Sequence, residues 1–124
     1  MKKFKVVLID DDPTTNFLNK RLIEKSVDAE VVQVFKNGQE AINGITNESD
    51  IIFLDINMPV MNGFEFIEKY KESLDIENRR IVVMLSSSEQ IDDKKRTDKL
   101  GITRYLEKPL TQNKLDNLIK ELNG

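Results

Sequence analysis

Three acids stand side by side in "VVLIDDDPTT", Asp10, Asp11 and Asp12, and a fourth, Asp55, closes a separate apolar run, "DIIFLD". Clustered carboxylates raise one another's pKa values and are rarely buried without a counter-charge. A divalent cation removes that conflict, since one opposed pair of unit charges at about 4 Å contributes on the order of 4 kcal/mol at an effective dielectric near 20. The chain has no histidine and no cysteine, so imidazole and thiolate ligands are absent and any metal site is built from oxygen. Magnesium suits such a site, because it keeps several waters and shares one or two carboxylates with phosphate oxygens. Two further groups extend the set. Ser86 ends the run "RIVVMLS" and offers a hydroxyl, and Lys108 in "YLEKPL" offers a point charge for phosphate. Together these residue types suit the handling of a phosphoryl group.

They can act together only if the fold gathers them. Short apolar runs alternate with amphipathic stretches along the whole chain. Phe4 to Ile9 reads as a strand, and Asp12-Pro13 reads as an N-cap with proline at the first helical position. Phe17, Leu18, Leu22 and Ile23 fall on one face of the helix that follows. Glu30 to Phe35 is strand-like, and Asn37-Gly38 leads to a short helix with Ala41, Ile42 and Ile45. Asp50 to Asp55 reads as a strand covered on both faces. Gly63 opens a helix with Phe66, Ile67, Tyr70 and Leu74 at helical spacing, and a fourth strand ends near Ser86. Glu89 to Leu100 is a polar helical stretch anchored only by Ile91 and Leu100. "ITRYLE" makes a fifth strand, and Leu115, Leu118, Ile119 and Leu122 mark a last amphipathic helix. Alternation of this kind predicts an α/β fold, a doubly wound parallel sheet of order 2-1-3-4-5 with helices on both faces. The carboxyl ends of strands one and three are then neighbours at the switch point, so the acids converge.

Composition narrows the classes further. The 124 residues suit one domain, 1–124, and 33% charged with 39% hydrophobic residues reads as soluble and globular. A formal net charge of -3 gives no basic footprint for nucleic acid. Apolar stretches of about five residues fall far short of the roughly 20 that span a bilayer. "MKKFK" is followed by no signal-peptide core, so a cytoplasmic protein is expected.

"LIDDDP", "FLDINMP…NGFEF", "VMLSS" and "YLEKPL" resemble, in order and spacing, the receiver domain of two-component response regulators, over the whole chain. The resemblance implies the flavodoxin-like (CheY-like) form of the fold in a stand-alone signalling domain that catalyses only its own phosphorylation and dephosphorylation. It makes Asp55 the phosphoacceptor, with Mg²⁺ (or Mn²⁺) held by Asp10, Asp11, Asp55 and the backbone carbonyl of Asn57. Asp11 would ligate directly and Asp10 mainly through water. Ser86 and Lys108 would bind the phosphoryl group, Tyr105 would be the switch aromatic, and Asn57 and Ser88 would tune dephosphorylation. The implied donor is a histidine kinase or a histidine phosphotransfer protein. Since the sequence given ends at Gly124, the signal is expected to leave through a protein partner or a phosphorelay. That partner would bind the face built from the polar helix 89–100, the fifth strand and the last helix. Thr97 and Ile102 depart from the commonest pattern, where many receivers carry alanine.

Plainer readings exist. Asp12 fits a helix cap better than a metal ligand. Ser86-x-x-Glu89 fits a capping box, and Tyr105 fits a half-buried strand aromatic. A rival enzyme reading is a Mg-dependent phosphatase of the haloacid-dehalogenase type, with Asp10, Asp12 and Thr14 as its D-x-D-x-T motif. It needs a further acidic pair after the lysine, where only the isolated Asp116 stands, and it leaves Asp55 unexplained.

Overall fold

The computed structural model describes residues 3–46, 48–75, 80–86 and 104–124. Five strands form one parallel sheet: β1 (Phe4–Ile9), β2 (Ala29–Phe35), β3 (Ile51–Asp55), β4 (Ile81–Ser86) and β5 (Arg104–Glu107), in the order β2-β1-β3-β4-β5. Among the described residues the helices are α1 (Pro13–Glu24), α2 (Gly38–Gly44), α3 (Gly63–Tyr70) and a C-terminal helix, α4 (Gln112–Asn123). The expected sheet order and strand sequence are therefore observed. The expected polar helix at 89–100, with Thr97 and Ile102, lies outside the described residues, as does Ser88.

Alternation along each strand divides the core into two layers. Val7, Ile9, Ile52, Leu54, Val82 and Met84 point to one face and pack against Ala41 of α2 and Phe64, Phe66 and Ile67 of α3. Val6, Leu8, Ile51, Phe53, Val83 and Leu85 point to the other and meet Ile23 of α1 with Leu115, Leu118 and Ile119 of α4. Strand β3 is buried at every position, which explains its unbroken apolar run. With β3 central, ladders flank it on both sides as far as Leu54, and its last residue, Asp55, pairs with Leu85 of β4.

Two helix starts are built as their sequences suggest. Asp12 caps α1, its Oδ1 accepting from the Thr14 amide at 3.0 Å, with Pro13 first in the helix. Asn62 and Glu65 form a reciprocal capping box on α3, with bonds of 2.9 and 3.0 Å.

The inward face of α1 differs from the expectation. Phe17 and Leu18 are each 58% exposed, whereas Asn16, Asn19 and Ile23 are buried. The cause is polar. Asn16 Nδ2 donates to the Asp10 carbonyl at 2.8 Å and reaches that of Phe35 at 3.4 Å, tying the helix to the carboxyl ends of β1 and β2. Hydrogen bonds owed to strand-end carbonyls, not apolar spacing alone, set the rotation of this helix. Leu74 is also displaced from the expectation: α3 ends at Tyr70, and Leu74 is buried in the turn beyond it.

Candidate functional site

The acids meet where the topology reverses. Asp10 follows β1, Asp55 ends β3, and these strands are neighbours at the switch point of the sheet. Carboxylate oxygens of Asp10, Asp11 and Asp55 all lie within 4.8 Å of one another, Asp10 and Asp55 buried and Asp11 exposed. Lys108, just past β5, reaches between the buried pair. Its Nζ stands 3.0 Å from Asp10 Oδ2 and 3.1 Å from Asp55 Oδ1. Asp55 Oδ1 also accepts from the Asn57 amide at 3.2 Å.

The electrostatics follow from that crowding. Burial first, and then the charge of Asp10, push the Asp55 carboxyl up to about 6, against the opposing pull of Lys108 and the Asn57 amide. Burial also disfavours the Lys108 ammonium, but its bonds to Asp10 and Asp55 outweigh this and leave its pKa raised. A single lysine thus faces two buried carboxylates while a third stands at the mouth. Three carboxylates with one internal cation fit a hard divalent ion with oxygen ligands, and the donor set contains nothing softer. Asp11, exposed at the mouth, is placed to reach such an ion without losing a partner among the described residues.

Asp12 stands apart from this cluster. Its Oδ2 accepts from the Thr15 hydroxyl at 2.9 Å, and this bond, followed by that from the Thr14 amide, holds the carboxyl below its ordinary range. Both oxygens serve the helix start, so Asp12 is a cap. In the phosphatase pattern it would have to be the acid/base, and its place as the cap of α1 does not support that reading. Asp116 is likewise on the exposed side of α4, where Gln112 donates to it at 3.2 Å.

Ser86 is fully buried at the end of β4, and its carbonyl accepts from the Lys108 amide at 2.6 Å. Tyr105 on β5 pairs in register with Met84 and packs, half-buried, on the α3 side of the sheet. Asn57 is exposed just beyond Asp55. Two further residues support the site, of which the sequence reading marks Gly63 only as a helix start and does not mark Asn16. Asn16 anchors the Asp10 carbonyl as described above. Gly63 opens α3 so close to the site that a Cβ there would stand 2.8 Å from the Asp55 carbonyl oxygen. The signals were present: Asn16 shares the i, i+3, i+7 stripe with Asn19 and Ile23, and Gly63 follows a capping asparagine.

The response regulator receiver domain family matches residues 6–120. The chain belongs to that family. The receiver is 34% identical over 119 residues to the nitrate/nitrite response regulator protein NarL of Escherichia coli K12, covering 95% of this chain and 52% of NarL. It therefore spans about half of that relative's length. A two-component response regulator from Cytophaga hutchinsonii, solved by crystallography, superimposes with a TM-score of 0.85 at 37% identity, covering 100% of each chain. CheY6 from R. sphaeroides, crystallised in complex with the P1 domain of CheA3, is similar at a TM-score of 0.80 and 29% identity, covering 99% of this chain and 98% of that one. The family and its relatives give this receiver a phosphoacceptor role in two-component signalling. Among the described residues, no helix is long and apolar enough to cross a membrane.

Proposed function

We propose that Asp55 is the phosphoacceptor and that Mg²⁺ is held by Asp10, Asp11, Asp55 and the carbonyl of Asn57. The observation that carries this reading is the Asp55 carboxylate at the end of the central strand, 3.1 Å from Lys108 Nζ and grouped with Asp10 and Asp11. A carboxylate oxygen of Asp55 attacks phosphorus in line. The new O–P bond forms as the P–N bond to the donor's phosphohistidine breaks, and the departing imidazole keeps the electron pair and takes a proton from solvent. In this reading the donor is a histidine kinase or a histidine phosphotransfer protein.

Catalysis is mostly positioning and charge neutralisation. Asp55 attacks as a carboxylate, and a pKa of about 6 leaves it mainly ionised at neutral pH. Lys108 leaves its bond to Asp55 to pair with a phosphoryl oxygen, and Ser86 donates its hydroxyl to another. The bound cation supplies neutralisation of the charge shared between carboxylates and phosphoryl group. In the reverse half of the cycle, water attacks phosphorus, the Asp55 O–P bond breaks, and inorganic phosphate leaves. In this reading the rate of that step is tuned by Asn57, exposed just beyond Asp55, and by Ser88. The chain thus acts as a signalling receiver whose only chemistry is on itself.

Movement of Ser86 toward the phosphoryl group vacates space for Tyr105, and the partner-binding face that includes β5 and α4 changes its affinity for a protein partner. Only such a difference in affinity between states drives the switch. Hydrogen exchange with and without beryllofluoride, a phosphoryl mimic, tests this. The expected changes lie at Ser86–Ser88, in the stretch 89–100 and around Tyr105, and changes confined to the loops bearing the acids would contradict it.

A further inference from the structure

We propose that Lys114 is a positioning residue for Lys108, holding the loop that carries the active-site lysine through its two flanking carbonyls. The inference rests on the role given to Lys108 above. Lys114 is the third residue of α4, whose N-cap is Thr111, and the Thr111 hydroxyl accepts from the Lys114 amide at 3.2 Å. A glutamate or glutamine at this position would complete a capping box. A cation there opposes the helix dipole instead. The first turn contains no acidic residue to compensate. Lysine is therefore a poor choice for the helix itself.

Its side chain shows what the choice serves. Lys114 Nζ donates to the Glu107 carbonyl at 2.6 Å and to the Pro109 carbonyl at 3.0 Å, the carbonyls of the residues before and after Lys108. The Lys108 amide is meanwhile held by the Ser86 carbonyl at 2.6 Å. The backbone around Lys108 is thus fastened at three points, two of them by one ammonium through charge-assisted bonds. Lys108 needs that anchorage. Its long, flexible side chain must bring Nζ to about 3 Å from Asp10 and Asp55 together, and small displacements of reacting or charge-stabilising groups cost large factors in rate.

A role confined to helix stability makes the opposite prediction for one substitution. Lys114→Gln restores the capping box, so the helix start gains while the clamp on two carbonyls is lost. Rates of phosphoryl loading are measured on the full chain with acetyl phosphate and Mg²⁺, alongside urea midpoints. Lys114→Gln is expected to slow loading about tenfold with an unchanged or higher midpoint. Lys114→Arg, which keeps a cation able to bond both carbonyls, is expected to stay within about twofold of the parent. In a Lys108→Ala background, Lys114→Gln should slow loading by no further factor, because residues acting as a unit are non-additive. A folded Lys114→Gln variant that loads at the parent rate overturns the inference, as does an equal slowing in both backgrounds. If Lys108→Ala itself loads like the parent, the role of Lys108 fails and the inference fails with it.

Discussion

The raised pKa of Asp55 has a consequence for stability whose sign is determined by the site. In the unfolded chain this carboxyl titrates near 3.8, and in the metal-free folded protein near 6. Below both values it is protonated in each state and contributes nothing to their difference. As pH rises through that window, the unfolded chain ionises first, so the folded state loses stability from this group until both are ionised. The full span corresponds to an upper bound of about 3 kcal/mol, and screening by water at the open mouth reduces it to about 1–2 kcal/mol. Asp55→Asn keeps an acceptor oxygen for Lys108 and the Asn57 amide but cannot ionise. Urea denaturation of both proteins in metal-free buffer, from pH 4.5 to 7.5, should therefore show the variant gaining about 1 kcal/mol on the parent across the range, since the lower part of the window lies below pH 4.5. Added Mg²⁺ at pH 7 should narrow the gap by stabilising the parent alone. Parallel pH profiles, or a variant that loses ground as pH rises, would refute the electrostatic account of the site.

Other outcomes follow from particular contacts. Asp11→Ala should weaken Mn²⁺ or Mg²⁺ binding at least tenfold by calorimetry with little change in stability, whereas Asp12→Ala should lower the urea midpoint as a lost cap and leave metal affinity near the parent's. Gly63→Ala places a methyl 2.8 Å from the Asp55 carbonyl oxygen, so it should lower the urea midpoint and slow phosphoryl loading together. Asn16→Leu leaves the Asp10 carbonyl without its buried donor and should cost about 1–3 kcal/mol in chemical denaturation.

The sheet was legible because its strands are short, apolar and separated by amphipathic stretches, and because the right-handed crossover rule leaves few orders for five such units. The convergence of Asp10 and Asp55 followed from that order, since both acids sit at carboxyl ends of neighbouring strands. The rotation of α1 was not legible. Apolar periodicity favoured Phe17 and Leu18 as the buried face, while the inward stripe is in fact set by Asn16 meeting two strand-end carbonyls. The stripe of Asn16 with Asn19 and Ile23 is visible in the sequence, but an asparagine there reads as surface polarity until the Asp10 and Phe35 carbonyls are placed beside it. Lys114 was invisible for a related reason, as a lysine in a first helical turn looks like solvated charge until its carbonyl partners are known. Asp12, by contrast, could be separated from its two neighbours beforehand, because the proline after it marks a helix start.

The central claim is that Asp55 carries the phosphoryl group. Mass spectrometry of the chain after incubation with acetyl phosphate and Mg²⁺, followed by borohydride reduction and peptide mapping, tests it most directly. One phosphoryl group at Asp55, lost in Asp55→Asn and absent when the cation is chelated, is the predicted result. Label at Asp10, or label that persists in Asp55→Asn, would contradict the account.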